Sequence, residues 1–298
     1  MTQSSKGAAR CHVVILNWYG TDDTDECLRT LLHHEPTIDI TVIDNSEDHS
    51  GIHKLADKYC GVEFVFNATN VGFAAGCNQG FLHSLEVGAS HTLFLNNDTV
   101  IVEPFIDKIV NWMHESDNVG AVSPRINYFY APEIPWFHAS TINELTMEIV
   151  HNNDITYNSP VKVPWLTGCA LFVSNAAFSR VNGFDSLLFM YSEDVDLSIK
   201  LTNAGYNLAV YPLMPVLHKV GSSSNKVSNI SMYYAVRNKI LIMRRYFPLR
   251  VYRGFATLFK TNLVQILKSE NNADGKVKML ATLLKACFVG LTIKITTH

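Results

Sequence analysis

The sequence is most informative at HTLFLNND, residues 91–98, where a short run of strand-forming residues leads directly into two asparagines and an aspartate. Thr, Leu and Phe favour a buried strand, and the polar residues mark its end. A carboxylate in such a place is costly to desolvate unless a cation or a hydrogen-bond donor compensates its charge. Asp98 is therefore a candidate ligand for Mg²⁺ or Mn²⁺, which would link it to a diphosphate. The plainer alternative is that Asp98 caps a helix over residues 99–110.

The same pattern of apolar run and polar end recurs along the first hundred residues. The sequence predicts strand 12–16 (HVVIL), helix 24–32, strand 40–43 (ITVI), strand 62–66, helix 73–85 and strand 91–95. Short strands that alternate with helices are typical of a parallel sheet with helices on both faces. Ligands of such sheets bind beyond the carboxyl ends of the strands, where the polar clusters 44–46 and 96–98 lie.

The pattern is weaker in the middle of the chain. Residues 124–163 are richer in Pro, Asn, Tyr and His, and we expect extended segments and loops that shape an acceptor cleft. Beyond them the pattern predicts strand 165–173, helix 192–204 and strand 207–211. The predicted helix begins with acidic residues and is followed by Gly205, and both features are common at helix ends.

Charge is distributed unevenly along the chain. Residues 1–218 carry 10 Lys and Arg against 25 Asp and Glu, whereas residues 219–298 carry 14 against 2. Apolar residues at helical spacing in 252–267, and an apolar stretch over 279–295 that contains two lysines, predict a basic pair of amphipathic helices. No charge-free run reaches the ~18–20 apolar residues that span a bilayer. Two interpretations stay open: helices that lie in a membrane surface, and helices that pack on the catalytic domain or on a second subunit.

Composition indicates a globular protein of the cell interior. A chain of 298 residues is long enough for one large α/β domain, with or without an appendage. The six cysteines, at 11, 27, 60, 77, 169 and 287, form no CxxC pair and predict reduced thiols in a cytosolic protein. The opening residues MTQSSKGAAR have no apolar segment behind their basic residues, so we expect no signal peptide.

Three further positions are candidates for chemistry, and each has a plainer alternative. Asp44 follows a predicted strand, where a carboxylate binds a ribose or base, or simply forms a turn. Glu193 and Asp194 follow an aromatic run, which favours a raised pKa and a general base, although acidic residues also stabilise helix N-termini. His218 precedes a Gly/Ser loop and completes a metal site with Asp98, or is structural.

The segment NVGFAAGCNQG, residues 70–80, contains three glycines around the start of a predicted helix. Small residues there let the backbone approach a phosphate or a sugar closely. The spacing matches neither GxGxxG nor the P-loop, which disfavours dinucleotide-dependent dehydrogenases and P-loop NTPases.

Seven blocks of the sequence together resemble the family 2 glycosyltransferases, and most of all the bacterial rhamnosyltransferases of cell-surface polysaccharide synthesis. The blocks are VVILNWYG (13–20), VIDNS (42–46), NVGFAAGCNQG (70–80), FLNND (94–98), TGCALFV (167–173), GFD to FMYSEDVDLSIK (183–200) and HKVGSS (218–223). Seven blocks in the family's order over residues 12–240 are specific, although each alone is weak. The resemblance implies a GT-A fold in residues 1–225, with a Rossmann-like, mainly parallel sheet flanked by helices. Residues 226–298 are then a helical extension, associated with a membrane or a dimer partner.

The resemblance also implies roles for individual residues. The donor-binding set, with the glycine-rich segment included, is Asn17, Asp44, Asn70, Gly72, Asn97 and Arg237. The implied metal ligands are Asp98 and His218, and the implied catalytic pair is the base Asp194 with Glu193 beside it. The chain departs from the family's DxD motif because Asn96 replaces the first aspartate. One fewer charge predicts a looser metal site, completed in part by water.

The implied reaction is an inverting transfer of L-rhamnose from dTDP-rhamnose to a hydroxyl of a glycan or of a polyprenyl-diphosphate-linked glycan. UDP-galactofuranose, UDP-glucose and UDP-GlcNAc stay open as donors. We expect a cytoplasmic protein on the inner face of the cell membrane that forms a homodimer or acts alone, and no nucleic-acid partner.

Two other classes of protein fit the sequence less well. A sugar-phosphate nucleotidyltransferase needs a basic, glycine-rich loop after the first strand, but no Lys or Arg occurs between Asn17 and Arg29. A non-catalytic glycan-binding protein would account for the basic tail but not for the ordered polar clusters at the strand ends.

Overall fold

The structure is a computed structural model that describes residues 9–143, 148–152, 158–220 and 229–295. Its first part alternates strands and helices as predicted, with an additional helix over residues 50–58 that the sequence analysis did not predict. The elements are β1 (Cys11–Asn17), α1 (Thr21–His34), β2 (Asp39–Asp44), α2 (Ser50–Lys58), β3 (Glu63–Phe66), α3 (Phe73–Glu86) and β4 (His91–Asn96). β1 pairs in parallel with β4 on one side and with β2 on the other, and β3 pairs in parallel with β2. The carboxyl ends of these strands therefore share one edge of the sheet.

The second part adds both parallel and antiparallel strands. Its elements are β5 (Thr99–Ile101), α4 (Ile106–Glu115), β6 (Val119–Tyr128), β7 (Ala131–Phe137), β8 (Ala139–Asn143), β9 (Glu148–Asn152), β10 (Val161–Lys162), β11 (Ala170–Ser174), α5 (Asn175–Arg180), α6 (Glu193–Asn203) and β12 (Asn207–His218). The strand order is β10-β12-β6-β11-β4-β1-β2-β3, with β5 beside β12 and β7 beside β6. β11 runs antiparallel to both β4 and β6. The α/β class is confirmed, and the sheet is parallel from β4 to β3 but mixed beyond β4.

Two boundaries differ from the sequence-based expectation. Residues 99–110 do not form one helix, because β5 pairs with the end of β12 and α4 begins only at Ile106. The β-branched residues of β5 complete the sheet there, so tertiary pairing overrides the helical pattern. Asp98 is therefore not the cap of a helix. The strand predicted from residue 165 begins at Ala170, and residues 165–169 lie in a loop.

Three helices follow: α7 (Asn229–Tyr246), α8 (Val251–Lys268) and α9 (Ala273–Thr292). Buried residues of α7 and α9, such as Ile240 and Leu283, belong to the same hydrophobic core as the strands. α9 approaches α7 closely at Gly290, where a Cβ would lie 3.0 Å from Ile240. The expected extension thus shares its core with the sheet. The expected boundary at residues 225 and 226, and the Gly/Ser loop after Val220, lie outside the described residues.

Within the described ranges, no helix combines the length and the apolar character that crossing a bilayer requires. All six cysteines are free thiols, as expected.

Candidate active site

The predicted metal ligands meet although 119 residues of chain separate them. The antiparallel pairing of β5 with β12 places His218 opposite Thr99 and therefore beside Asp98. His218 Nε2 lies 3.1 Å from Asp98 Oδ1, and both side chains are largely buried. Within the described part of the chain, neither this carboxylate oxygen nor His218 Nδ1 has a hydrogen-bond partner. A buried, unsatisfied carboxylate oxygen that faces an imidazole is a donor pair suited to a divalent cation.

The pair fits a cation that takes its other ligands from elsewhere. No group of three or more His, Cys, Asp and Glu side chains forms a metal cage among the residues that the structure describes. Mg²⁺ commonly binds through one or two carboxylates together with substrate phosphates and waters. The residues present therefore fit a Mg²⁺ or Mn²⁺ site that a diphosphate completes. Such a site agrees with Asn96, which replaces a charged ligand of the DxD motif.

Asp44 is fully buried at the end of β2 and is held by its neighbours. Its Oδ1 accepts hydrogen bonds from Asn17 Nδ2 at 2.7 Å and from Ser46 Oγ at 2.8 Å. Its Oδ2 contacts His49 Nδ1. Both carboxylate oxygens thus have protein partners, and His49 stands between Asp44 and the surface.

A chain of hydrogen bonds connects Asp44 to Asn97, the residue directly before Asp98. Asn17 donates to Asp44, and Asn17 Oδ1 accepts from Asn97 Nδ2 at 3.2 Å. Asn97 also donates to Thr24 Oγ1 at 2.9 Å, which ties α1 to the same network. Because Asn97 directly precedes Asp98, the predicted nucleotide-binding residues and the Asp98–His218 pair lie at one edge of the sheet.

The glycine-rich loop closes against the segment that precedes α6. Asn70 Oδ1 accepts from the backbone N–H of Gly72 at 2.8 Å. Gly72 has φ +88°, and a Cβ there would lie 2.5 Å from the ring of Phe189. Both the left-handed backbone and the close ring require glycine at this position.

The predicted base lies at the start of α6 and is connected to β4. The backbone N–H of Gly168 donates to Asp194 Oδ2 at 3.1 Å. The carbonyl of the next residue, Cys169, accepts from the N–H of Asn96 at 2.8 Å. Two adjacent residues therefore bridge Asp194 to the end of β4, two residues before Asp98.

The two carboxyl groups at this helix start have different environments. Burial, and then the charge of Asp194, raise the pKa of Glu193 to about 8. Burial also raises the pKa of Asp194, and the N–H groups of Gly168 and Val195 oppose that rise. Glu193 is 7% exposed, whereas Asp194 is only partly buried. Burial thus raises the proton affinity of both carboxyls, and Asp194 is the more accessible of the two to a substrate.

The backbone just before these carboxyls has an unusual conformation. Phe189, Tyr191 and Ser192 all have positive φ, between 62° and 67°. Each such residue costs about 1–3 kcal/mol and persists only when its surroundings impose it. Asn238 of α7 supplies that constraint, since its buried Nδ2 lies 2.7–2.8 Å from the carbonyls of residues 188, 190 and 191. The resemblance includes Arg237 and Asn238 in one motif, but it implies no role for Asn238.

Arg237 has contacts other than those the resemblance implies. Its buried Nη2 donates to the carbonyls of Leu187 at 2.6 Å and Leu188 at 3.0 Å. Its guanidinium lies 4.7 Å from the ring centre of Tyr234, and that ring stacks on Phe189. Arg237 thus supports the 189–192 segment, and its contact with the donor stays a prediction.

A buried ion-pair network fixes α6 to α7 as well. Arg245 donates to Asp196 Oδ1 and to Asp185 Oδ2, both at 2.6 Å. These aspartates lie on either side of the 189–192 segment, so α7 holds it from both flanks. The network has no counterpart in the sequence-based prediction, because no local pattern pairs residues so distant in the chain.

The fold and the site define the class of protein: the chain has the fold of the GT-A glycosyltransferases. It aligns with the crystal structure of GalNAc-T7 with UDP, GalNAc and Mn²⁺ at a TM-score of 0.67 and 12% identity, over 93% of this chain and 55% of that one. It also aligns with the mannosyltransferase PcManGT from Pyrobaculum calidifontis, in complex with GDP-Man and Mn²⁺, at a TM-score of 0.57 and 14% identity. That alignment covers 96% of this chain and 88% of the other.

The chain belongs to glycosyl transferase family group 2, whose family model matches residues 91–260. It is 25% identical over 256 residues to the dTDP-rhamnosyl transferase RfbF of Shigella flexneri, covering 82% of this chain and 84% of the relative. It is 24% identical over 214 residues to the N-acetylglucosaminyl-diphospho-decaprenol L-rhamnosyltransferase of Mycobacterium tuberculosis, covering 64% and 70%. The chain is thus a rhamnosyltransferase-like glycosyltransferase, which confirms the family resemblance.

Proposed function

We propose that this glycosyltransferase moves L-rhamnose from dTDP-rhamnose to a hydroxyl of a glycan acceptor, with inversion at the anomeric carbon. One observation carries the proposal: residues 168 and 169 join Asp194 to the end of β4, which leads into the Asp98–His218 pair. A proton acceptor and a diphosphate-binding pair at one edge of the sheet are what a single displacement of a nucleoside diphosphate requires.

In the proposed reaction, the acceptor hydroxyl attacks the anomeric carbon while its proton passes to Asp194. The bond between that carbon and the diphosphate oxygen breaks on the opposite face, so the configuration inverts. Burial helps because it raises the proton affinity of Asp194.

Asp98 and His218 would hold the divalent cation, Mg²⁺ or Mn²⁺. When bound, such a cation acts as a Lewis acid that neutralises charge on the departing diphosphate. The unsatisfied Oδ1 of Asp98 is the observation that favours a cation at this place. Asn97 stabilises the turn that carries Asp98 through its hydrogen bonds to Asn17 and Thr24.

The donor is proposed from the relatives and not from side-chain recognition. RfbF is named a dTDP-rhamnosyl transferase, and the mycobacterial relative is named an L-rhamnosyltransferase. The acceptor of the latter, by its name, is a lipid diphosphate. We propose a lipid-linked glycan as acceptor here, and a peripheral position at the inner membrane surface. The 14 basic against 2 acidic residues after position 218 support attraction to an anionic surface.

A donor screen tests this proposal. The purified chain is incubated with dTDP-rhamnose, UDP-galactofuranose, UDP-glucose and UDP-GlcNAc, each with Mn²⁺, with Mg²⁺ or with a chelator, and nucleoside diphosphate release is measured. We expect the fastest release from dTDP-rhamnose, and only with a divalent cation. Release from none of the four, with no thermal shift by dTDP or UDP plus Mn²⁺, contradicts the proposed enzyme. Faster release from a UDP sugar contradicts the proposed donor alone.

A further inference from the structure

A cavity of about 720 Å³ lies between the glycine-rich loop and the C-terminal helices. Its walls are mainly apolar, and its aromatic residues include Phe73, Phe189, Tyr233 and Tyr234. The volume is in the range of small-molecule sites. The reaction proposed above gives these aromatic residues no role.

One end of the cavity borders residues that the resemblance assigns to the donor. Asn70 and Gly72 line it, and Phe73 follows them. A Cβ on Gly168 would lie 3.6 Å from the Phe73 ring and 3.7 Å from Asp194 Cβ. Phe73 and the proposed base therefore flank the same glycine, so this end of the cavity is near Asp194.

The other end is formed by the C-terminal helices and is open to solvent. Ile230 of α7 and Lys285 of α9 line it, and both side chains are exposed. Lys285 Nζ lies 5.7 Å from the centre of the Tyr233 ring. No Asp or Glu occurs among the described lining residues, so an anion at this end meets a cation without an opposing carboxylate.

An exposed apolar stripe runs along α9 beside Lys285. It comprises Val277, Leu284, Phe288 and Leu291, which are 66%, 52%, 68% and 40% exposed. Spacings of seven, four and three residues place these side chains on one face of the helix. Lys285 follows Leu284 directly and also lines the cavity, so it stands between the stripe and the cavity. Single apolar residues scattered over a protein surface are normal, whereas these four exposed side chains share one face of a helix.

We propose that the cavity binds the diphosphate and the adjoining apolar chain of a lipid-linked acceptor, with Lys285 at the diphosphate and the α9 stripe against the lipid. This inference rests on the proposed function, and it states where on the protein the lipid-linked acceptor binds. An apolar, aromatic cavity, one cation and a contiguous exposed stripe match a molecule in which an anion joins a sugar to a long apolar chain. A nucleotide lacks the chain that the stripe would contact.

The test uses the full-length protein with three probes below their micelle concentrations: farnesyl diphosphate, inorganic diphosphate and farnesol. Isothermal titration is performed on the native chain, on K285E and on K278E. Lys278 is the matched control, because it is exposed on α9 seven residues earlier but does not line the cavity. We expect farnesyl diphosphate to bind more tightly than either fragment. K285E should bind it about tenfold more weakly, as expected for one charge-assisted contact, and K278E should bind it like the native chain.

Equal binding by K285E and the native chain overturns the proposal, as does an equal loss in K278E, which would indicate general electrostatics. Farnesol that binds as tightly as farnesyl diphosphate also overturns it. The binding measurement needs no turnover, so it is separate from the donor screen. Lys285-dependent binding without any sugar transfer retains the cavity site and rejects the reaction. Rhamnose transfer with the same KM for a soluble and a lipid-diphosphate acceptor retains the reaction and rejects the site.

Discussion

The two ends of the active site hold their carboxylates by different means. At the donor end, Asp44 has partners for both oxygens, and Asn17 and Asn97 extend its network from strand to strand. At the base end, Glu193 Oε2 has no partner within the described residues, and left-handed backbone precedes the helix. Asp194 itself accepts hydrogen bonds from the backbone N–H groups of Gly168 and Val195. The donor end is thus held mainly by side chains from neighbouring strands, whereas the base end depends on backbone donors and on the strained segment that α7 supports.

The largest effect should come from the proposed base. We expect Asp194→Asn to lose about 10²–10⁴-fold in kcat, because it cannot accept the acceptor's proton, with donor affinity retained. Steady-state kinetics and donor titration measure the two quantities. Glu193→Gln is the matched control and should keep most of the turnover. A large loss in Glu193→Gln with normal turnover in Asp194→Asn would reverse the assignment of the base.

The donor end is tested next through the Asp98–His218 pair. Asp98→Asn should lower kcat/KM by about 10²-fold or more, since it weakens the stabilisation of charge on the leaving diphosphate. The Mn²⁺ concentration for half-maximal activity should rise. Asp107→Asn, an exposed carboxylate on α4, is the control and should change neither quantity. An unchanged Mn²⁺ dependence in Asp98→Asn would show that the Asp98–His218 pair does not bind the cation.

A smaller effect should follow when the support of the base end is removed. Asn238→Ala removes a donor that three carbonyls around the 189–192 segment share, although the Leu188 carbonyl keeps its bond from Arg237, and we expect about a tenfold loss in kcat at an unchanged donor KM. The pH profile of kcat should shift as well, because Asp194 follows this segment. Asn262→Ala, which loses a bond only within α8, is the control. Equal thermal destabilisation of both variants without a kinetic difference would reduce Asn238 to a structural role.

The last prediction concerns stability and not turnover: the unfolding temperature should depend on pH. The pKa of Glu193 rises from 4.5 to about 8 on folding, so its contribution is fully present below pH 4.5 and is lost as the pH rises through about 8. The unfolding temperature of the native chain should therefore fall relative to that of Glu193→Gln between these pH values. Parallel curves for the two proteins, measured by thermal unfolding, would show that Glu193 is not buried as a neutral acid.

Much of the donor end could be predicted from the sequence. The strands before Asp44 and Asp98 are marked by local apolar runs, and their parallel pairing follows from the alternation with helices. At the base end the sequence predicted the pair of carboxyls, a raised pKa and, by resemblance, Asp194 as the base, but not the surroundings that support them. The pKa values there depend on what surrounds the carboxyls, and the backbone there depends on Asn238, which lies more than 40 residues further along the chain. Arg237 was assigned to the donor by resemblance, which stays a prediction, and its bonds to the carbonyls of Leu187 and Leu188 could not be foreseen.

The amino-acid sequence by itself determined the order of strands and helices, the polar residues at the strand ends and the membership of the family, because apolar periodicity and short motifs are local properties. Tertiary structure alone decided that β5 pairs with β12, which brings His218 to Asp98, and that α7 holds the segment before Asp194. It also decided that burial raises the pKa of both adjacent carboxyls at the start of α6. The physical reason is that desolvation and hydrogen-bond partners depend on residues that are distant in the chain and meet only on folding.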